Sequence, residues 1–250
     1  MRATSKRLLL GLLVLMSAAA ASAQTVDEIV EKSIAAEGGR PALAKVKNRS
    51  SAGRINMSTP GGDISGTIEV FNEAPNKSRS LVKIDLSAMG AGTVVVDERF
   101  DGTSGYSMDS MQGDSAITGS RLDALKNSVF PSVFLDYKER GTKLTLVGKE
   151  KVGDRDAIAL SFVPATGPAT KVWIDAATYL ALKSAITVDH PQLGTVEQTF
   201  EFSDYREVDG IKVAFMLKGM TGPQPFTVVL DKVEHNVKID PALFAKPAGK

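Results

Sequence analysis

The stretch Phe200–Leu217 reads FEFSDYREVDGIKVAFML, and it contains two alternating segments that meet at Asp209-Gly210. In the first segment Phe200 and Phe202 fall on one side, and polar residues fall on the other. In the second segment, apolar residues recur at every second position to the end of the stretch. Alternation around an Asp-Gly turn is typical of a β-hairpin with one apolar face. That face contacts either an ordinary core or a cavity for an apolar ligand.

The same period of two recurs along most of the chain after residue 48. Short alternating runs are separated by turn residues such as Pro60-Gly61-Gly62 and Gly90-Ala91-Gly92. This pattern predicts an antiparallel meander of about 11–12 strands. Because open twisted sheets rarely exceed about ten strands without curling, we predict a mainly β (α+β) fold built as a curled, incomplete antiparallel β-barrel.

Near the start of the chain, the sequence predicts two helices. Residues 25–28, Thr-Val-Asp-Glu, form a capping-box pattern, and apolar residues follow at helical spacing until Gly38-Gly39. Pro41 stands at the first turn of a second, short helix, a position that helices tolerate.

A mid-chain segment predicts the other helical material. Ser120 can cap a helix that runs to Asn127. After Pro131, a further helix is predicted because apolar residues recur at positions i, i+3, i+4 and i+7: Phe130, Val133, Phe134 and Tyr137. The apolar stripes of these helices either complete a dry core or cover a cavity.

The first 23 residues have the features of a secretory signal peptide. A basic start is followed by a short apolar run, and Ala21-Ser22-Ala23 forms a small-x-small cleavage site. We therefore predict cleavage after Ala23 and export to a bacterial periplasm. No linker or shift in composition divides the remainder, so residues 24–250 are predicted to form a single domain.

Composition excludes several classes of function. Three of the 30 basic residues lie in the predicted signal peptide, which leaves 27 basic against 29 acidic residues. This near-neutral balance argues against nucleic acid as a partner. The chain has no cysteine, so disulfides, thiol nucleophiles and cysteine-based zinc sites are excluded.

The sequence carries no recognisable catalytic or metal-binding motif. Gly102-Thr-Ser-Gly-Tyr106 has G-x-S-G spacing, whereas a nucleophile elbow requires G-x-S-x-G. The two histidines, His190 and His235, lack the spacing of a metal site. Asp97 and Glu98 fall on opposite faces of a predicted strand and cannot act as a pair. We therefore predict a protein that is not an enzyme and needs no metal or cofactor.

Several segments, in order, resemble one family of exported proteins. A signal peptide precedes TVDEIVEKSIAAEGGRPALAKVKN, and FDGTSGYSM (100–108), KVWIDAATYLALK (171–183), FSDYREVDGIKVAF (202–215) and IDPALF (239–244) follow it. This order is similar to outer-membrane lipoprotein-sorting proteins, a group related to the lipoprotein carriers LolA and LolB. The resemblance spans essentially the whole chain after the signal peptide.

The resemblance implies an apolar cavity inside an incomplete barrel, closed by a lid of helices that an arginine of the barrel holds. The mid-chain helix would be the lid, and Arg54 and Arg99 are candidates for that arginine. In the carriers the cavity takes lipoprotein acyl chains across the periplasm. The implied partners are an acylated lipoprotein or lipid, an inner-membrane releasing complex and an outer-membrane acceptor, and we expect a monomer.

We therefore predict a periplasmic carrier or chaperone that binds acyl chains. The alternatives are a non-catalytic sensor or interaction domain with the same fold and, less in keeping with the motifs, a hydrolase of lipid or cell wall. The residues predicted to contact lipid are the inward positions of the strands and the mid-chain apolar stripe: Ile55, Met57, Ile68, Val70, Val96, Leu122, Leu125, Val129, Phe130, Phe134, Ile158, Leu160, Phe162, Phe200, Phe202, Val213 and Phe215.

Overall fold

The structure is a computed structural model that describes residues 24–59, 62–87, 90–190 and 193–247. The predicted signal peptide and its cleavage site lie outside the described residues. Thirteen strands account for most of these described residues: β1 Asn48–Thr59, β2 Gly62–Glu73, β3 Lys77–Asp85, β4 Thr93–Phe100, β5 Gly105–Asp109, β6 Gly113–Ile117, β7 Lys143–Val152, β8 Arg155–Val163, β9 Thr170–Asp175, β10 Ala181–His190, β11 Gly194–Val208, β12 Ile211–Thr221 and β13 Gln224–His235.

All thirteen strands form one antiparallel sheet in the order β6-β5-β4-β3-β2-β1-β13-β12-β11-β10-β9-β8-β7. The pairing of β1 with β13 joins an N-terminal meander to a C-terminal one. The predicted fold class, mainly β with a curled and incomplete antiparallel sheet, is confirmed. The sheet has one strand more than the predicted range because β6 was missed. Ile117 is the only buried residue of β6, so that strand shows no apolar alternation in sequence.

The hairpin predicted at Asp209-Gly210 is confirmed. Val208 pairs with Ile211 across the turn, and both turn residues have positive φ, 51° and 78°. Positive φ at both central positions is the geometry that Asp-Gly favours in a two-residue hairpin. Within β11, Asp204 also has a positive φ of 51°.

The two N-terminal helices are also confirmed, α1 at Val26–Glu37 and α2 at Arg40–Leu43. The Thr25 hydroxyl accepts a hydrogen bond from the Glu28 amide at 3.2 Å, and the Glu28 carboxylate accepts one from the Thr25 amide at 3.0 Å. After α1, Gly38 adopts φ 130°, and a Cβ there would lie 2.3 Å from the carbonyl oxygen of Gly210. Only glycine lets the end of α1 approach the hairpin turn so closely.

The main core lies between α1, the C-terminal strands and the mid-chain segment. Ile29, Val30 and Ile34 of α1 are at most 2% exposed, and they pack with β8, β9 and β12. In the same core the rings of Phe134 and Phe162 have centroids 5.8 Å apart. Burial of this continuous apolar cluster is the main stabilising contribution on this side of the sheet.

Residues 119–142 lie over the concave side of the sheet, and we call them the lid segment. Its helix, α3, is Gly119–Asn127, and consecutive turns follow at 133–141. The helix predicted after Pro131 is therefore wrong. Asp136 and Gly141 have positive φ, 52° and 71°, which no α-helix accommodates. Ser120 is not the cap of α3, because it lies inside the helix and its hydroxyl bonds to Asp189.

Contacts of α3 show that the sheet curls. The helix α3 packs against β10, and its residue Arg121 forms an ion pair of 2.5 Å with Glu98 on β4. In the sheet order, β4 and β10 are separated by β3, β2, β1, β13, β12 and β11. One short helix reaches both strands only because the sheet bends around it. β6 and β7 remain edges, with no strand partner on their outer sides among the described residues.

Candidate lipid-binding cavities

Two apolar cavities lie between the lid segment and the concave face. The first, cavity 1, has a volume of about 350 Å³. Ala124, Val129 and Val133 of the lid segment form its roof. Its floor comes from the strands β8 to β11 and consists mostly of apolar side chains: Phe162, Val172, Ala181, Ile186, Phe200 and Phe202.

The second, cavity 2, has a volume of about 470 Å³ and lies under the next part of the lid segment. Pro131 and Val133 lie on its roof. Its apolar wall comes from α2, β2, β11, β12 and β13: Leu43, Ile68, Val70, Phe202, Ile211, Val213, Phe215, Leu217, Val228 and Leu230. Both volumes fall in the range of small-molecule sites, roughly 300–1,000 Å³.

The two cavities meet at three side chains. Val129, Val133 and Phe202 line both of them. Phe202 is only half-buried, although it points to the concave side. It is therefore the strand residue that separates the two spaces, and its ring contributes to the wall of each.

Hydrogen bonds attach one side of the lid segment to the turn between β2 and β3. The Phe130 amide donates to the Pro75 carbonyl at 2.9 Å, and the Asn76 side chain donates to the Lys126 carbonyl at 3.2 Å. Both bonds lie at the rim of the sheet.

The other side of the lid segment is attached to β10 and to the turn between β8 and β9. The Asn127 side chain donates to the Thr166 carbonyl at 2.8 Å. The Ser120 hydroxyl accepts from the Asp189 amide at 2.7 Å and donates to its carboxylate at 3.0 Å. None of the residues of α3 is fully buried. The helix is thus held more by polar contacts at its rim than by a packed apolar face.

A polar cluster occupies one part of the wall of cavity 2. Arg49 lies near the start of β1 there, beside Glu37 at the end of α1 and Tyr205 on β11. Burial lowers the pKa of Arg49 to about 10, although the negative charge of Glu37 acts to raise it. Burial also raises the pKa of Glu37 to about 7, although a hydrogen bond from Ser132 and the charge of Arg49 counteract it. Tyr205 donates to the Ala181 carbonyl at 2.8 Å, and burial raises its pKa.

The structure brings many of the predicted lipid contacts together at these cavities. Eight of them line cavity 1, cavity 2 or both: Ile68, Val70, Val129, Phe162, Phe200, Phe202, Val213 and Phe215. Leu125 lies with Val70 at a smaller space of about 110 Å³ near β4.

Other predicted contacts lie in packed regions. Four belong to the main core with α1: Phe130, Phe134, Ile158 and Leu160. Ile55 packs with Ile68 and Val228 in a second cluster, against which Met57 also packs. Val96 and Leu122 are half-buried and line neither of the two cavities.

Neither arginine named from the resemblance contacts the lid segment through a hydrogen bond or ion pair among the described residues. Arg54 is exposed and pairs with Asp231 at 3.1 Å. Arg99 pairs with Asp97 and donates to carbonyls near the C-terminus. Another arginine, Arg49, does contact the lid segment, because its guanidinium lies 5.2 Å from the centroid of the Phe130 ring.

Sequence reasoning missed Arg49 and Glu37. One signal was available, because Arg49 shares the odd-numbered positions of β1 with Ile55 and Met57, which makes it a charge on an apolar face. Glu37 gave no such signal, since an acidic residue at the end of a helix is normally solvated.

The carboxylates Asp97 and Glu98 each have arginine partners: Asp97 pairs with Arg79 and Arg99, and Glu98 pairs with Arg121. Burial alone would raise the pKa of Asp97, but hydrogen bonds and charge from Arg79 and Arg99 outweigh it and lower that pKa. Among the described residues no group of three or more histidine, aspartate or glutamate side chains is placed to hold a metal ion. No helix among them has the length and apolar character needed to cross a membrane.

No family model and no curated protein sequence matches this chain. Solved structures do. A DUF1329 family protein from Desulfovibrio piger is 15% identical with a TM-score of 0.55, over 88% of this chain and 97% of its own. A LolA superfamily protein from Nitrosomonas europaea is 14% identical with a TM-score of 0.53, over 90% and 99%.

The chain has a LolA-like fold. A domain from Vibrio parahaemolyticus named for outer membrane lipoprotein sorting shares this fold, with 12% identity and a TM-score of 0.53 over 85% of this chain and 93% of its own. The LolA-like fold thus extends over nearly the full length of each protein. At these identities the likeness concerns the backbone architecture, and the cavities belong to this chain's own side chains.

Proposed function

We propose that this protein is an exported carrier or chaperone that shelters the acyl chains of lipoproteins or lipids in cavities 1 and 2. The observation that carries the proposal is the pair of apolar cavities beneath the lid segment, whose helix α3 is attached mainly by polar contacts at the rim. The sorting role in the name of the Vibrio parahaemolyticus domain supports the same assignment.

The physical need for such a carrier follows from the hydrophobic effect. Exposing a sixteen-carbon chain to water costs about 0.8 kcal/mol per methylene, or roughly 12 kcal/mol in all. Acyl chains therefore cross an aqueous compartment slowly unless a protein covers them. The lid segment covers both cavities, and breaking the few polar contacts of α3 would open a path to them.

The proposal includes the compartment and the partners. The signal peptide, with cleavage after Ala23, would deliver residues 24–250 to the periplasm as one domain and a monomer. An inner-membrane releasing complex would load the carrier and an outer-membrane acceptor would unload it. No step in this cycle requires catalysis by the protein.

One observation favours a second candidate, a sensor or interaction domain. The edge strand β7 exposes Leu146 and Val147, 44% and 50%, and the neighbouring Val163 is 41% exposed. An apolar edge of this kind is suited to pairing with another chain. The two candidates differ in what co-purifies: a carrier retains lipid or acylated peptide, and an interaction domain retains a protein.

Denaturing mass spectrometry of the protein isolated from the periplasm tests the carrier proposal. We expect acyl lipid or acylated peptide to be released in amounts approaching one per protein. Repeated absence of such a ligand, together with no binding of a fluorescent fatty-acyl probe, would refute it.

A reversible lock tests the lid segment. Because the chain has no cysteine, Ser120→Cys with Asp189→Cys introduces the only pair of thiols, at side chains that already contact each other. We expect the oxidised protein to take up an acyl probe at least tenfold more slowly than the reduced protein. The single variant Ser120→Cys is the control. Equal uptake rates in the oxidised and reduced double variant would show that α3 does not move to admit ligand.

A further inference from the structure

The wall of cavity 2 is mostly apolar, but Ser51 and Asn72 add polar side chains to it beside Arg49, on β1 and β2. There, Arg49 and Glu37 lie next to each other at the start of β1 and the end of α1, under Ser132 of the lid segment. Tyr205 and Lys212 also reach this cavity. A ligand held by the apolar part of the wall would therefore present one end to this polar cluster.

Hydrogen bonding fixes the position of Arg49 and the tautomer of its neighbour. The Nε–H of Arg49 donates to Nε2 of His235 at 3.0 Å. Since arginine can only donate, this ring nitrogen must accept. The proton of His235 is then on Nδ1, which lies 3.2 Å from the Asp209 carboxylate. Burial and the charge of Arg49 lower the pKa of His235, which keeps the ring in this neutral form.

This arrangement uses only one of the donor groups of Arg49. Within the described chain, His235 is its only hydrogen-bond partner, and the ring of Phe130 lies against the guanidinium. The two terminal NH2 groups have no acceptor on the protein there. Such a pair of groups matches the two oxygens of a carboxylate or phosphate.

The charge balance favours an anion at the same place. A guanidinium beside an apolar cavity is costly unless an opposite charge accompanies it. Glu37 is the nearby acid, and at pH values below about 7 it is neutral. The other neighbouring groups are His235, Tyr205 and Lys212, and none of them is acidic enough to supply a negative charge inside the cavity. The Asp209 carboxylate, which contacts His235, is exposed and does not line the cavity.

We propose that cavity 2 binds an acylated ligand through an anionic head, a carboxylate or a phosphate, which accepts hydrogen bonds from the terminal nitrogens of Arg49. The inference rests on the proposed carrier function and specifies the ligand for this cavity. Its apolar wall receives the chain, and Glu37 must be protonated for the anion to bind well. The affinity for such a ligand therefore falls as the pH rises from 6 to 8.5, because an ionised Glu37 competes for Arg49.

The test compares ligands with one chain length and different heads. Dodecanoate, dodecyl phosphate and neutral dodecanol are titrated calorimetrically into the full chain, together with inorganic phosphate alone. Dodecanoate is ionised at both pH 6 and pH 8.5, so its own charge does not change. We expect it to bind about tenfold more tightly at pH 6, and dodecanol to bind equally at both values.

Two variants should change the affinity for dodecanoate in opposite directions. Arg49→Gln should weaken dodecanoate at pH 6 about tenfold and leave dodecanol unchanged, while the exposed control Arg54→Gln changes neither. Glu37→Gln should remove the pH dependence and retain tight binding at pH 8.5. If Arg49→Gln does not fold, Glu37→Gln decides the question alone.

The inference is overturned if Glu37→Gln keeps the pH dependence of the wild type, or if dodecanoate binds a folded Arg49→Gln variant as tightly as the wild type. Inorganic phosphate binding as tightly as dodecyl phosphate would also overturn it, since the acyl chain would then contribute nothing. Tighter binding of dodecanoate or dodecyl phosphate than of dodecanol supports the inference. The anionic ligand that binds more tightly of the two identifies the head. Failure of all ligands, dodecanol included, would instead refute the carrier function.

Discussion

The two sides of the concave face are built from the same alternating strands, yet one is packed and the other encloses space. Next to α1, Leu160 of β8 and Ile174 of β9 are fully buried, although Phe162 and Val172 farther along the same strands also reach cavity 1. Around β11 and β13, the lid segment covers the sheet without filling it. The alternation of apolar residues along a strand therefore predicts which face of the sheet points inward. Whether that face borders a packed core or a cavity depends on the segment that covers it.

The largest effect is expected from removing a ring on the packed side. Phe134 is 1% exposed and contacts Phe162, so Phe134→Ala should lower the free energy of unfolding by about 3–5 kcal/mol. Urea denaturation measures this change. A loss below about 1 kcal/mol would mean that this side is no better packed than the side that encloses the cavities.

The same substitution on the hollow side should cost less. Phe202 lies between two existing cavities, so Phe202→Ala should lower the free energy of unfolding by only about 2 kcal/mol. Joining the cavities should also shift the binding preference toward bulkier acyl ligands, which a competition assay against a fluorescent acyl probe measures. A cost equal to that of Phe134→Ala would show that Phe202 belongs to a solid core.

A pH-dependent effect is expected at the polar cluster of the hollow side. The pKa of Glu37 rises on folding from 4.5 to about 7, so the free energy of unfolding falls as the pH rises through this window. Glu37→Gln removes that loss. It should stabilise the protein by roughly 1–2 kcal/mol at pH 8 and by almost nothing at pH 4. Thermal melts at the two pH values measure the difference, and equal effects at both would contradict the shift.

The smallest effect on stability concerns the attachment of the lid segment. Arg121 pairs with Glu98 near the surface, so Arg121→Gln should cost less than about 1 kcal/mol. Uptake of an acyl probe should nevertheless become faster, because one contact that closes the hollow side is lost. Lys126→Gln, on the same helix, is the control. An unchanged uptake rate would place the opening of the lid segment elsewhere.

Local patterns in the sequence predicted much of the fold, because the interactions they encode are local. The Asp209-Gly210 turn and the Thr25–Glu28 capping box depend on residues close in sequence, and both form as expected. The turns after Pro131 were mistaken for a helix, since apolar spacing does not register the positive φ of Asp136. Periodicity describes which residues are inside more reliably than it describes backbone conformation.

The cavities were only partly predictable for a different reason. Alternation places Leu160 and Phe202 on an inward face in the same way, but one is fully buried and the other half-buried. That difference depends on which residues cover each strand, and those residues are far away in sequence. Arg49 likewise gained its surroundings from α1, β13 and the lid segment, none of which its own strand reveals.

The two unpaired edges of the sheet have a consequence for its capacity. A closed ring of strands has a girth fixed by strand number and stagger. Among the described residues β6 and β7 do not pair with each other. A change in the curvature of such an open sheet therefore does not require any hydrogen bond between its strands to break. The width of the interior then depends on the contacts that hold the curled sheet in place. Those contacts are made by Ser120, Arg121 and Asn127 of α3, which bind to β10, to β4 and to the turn between β8 and β9.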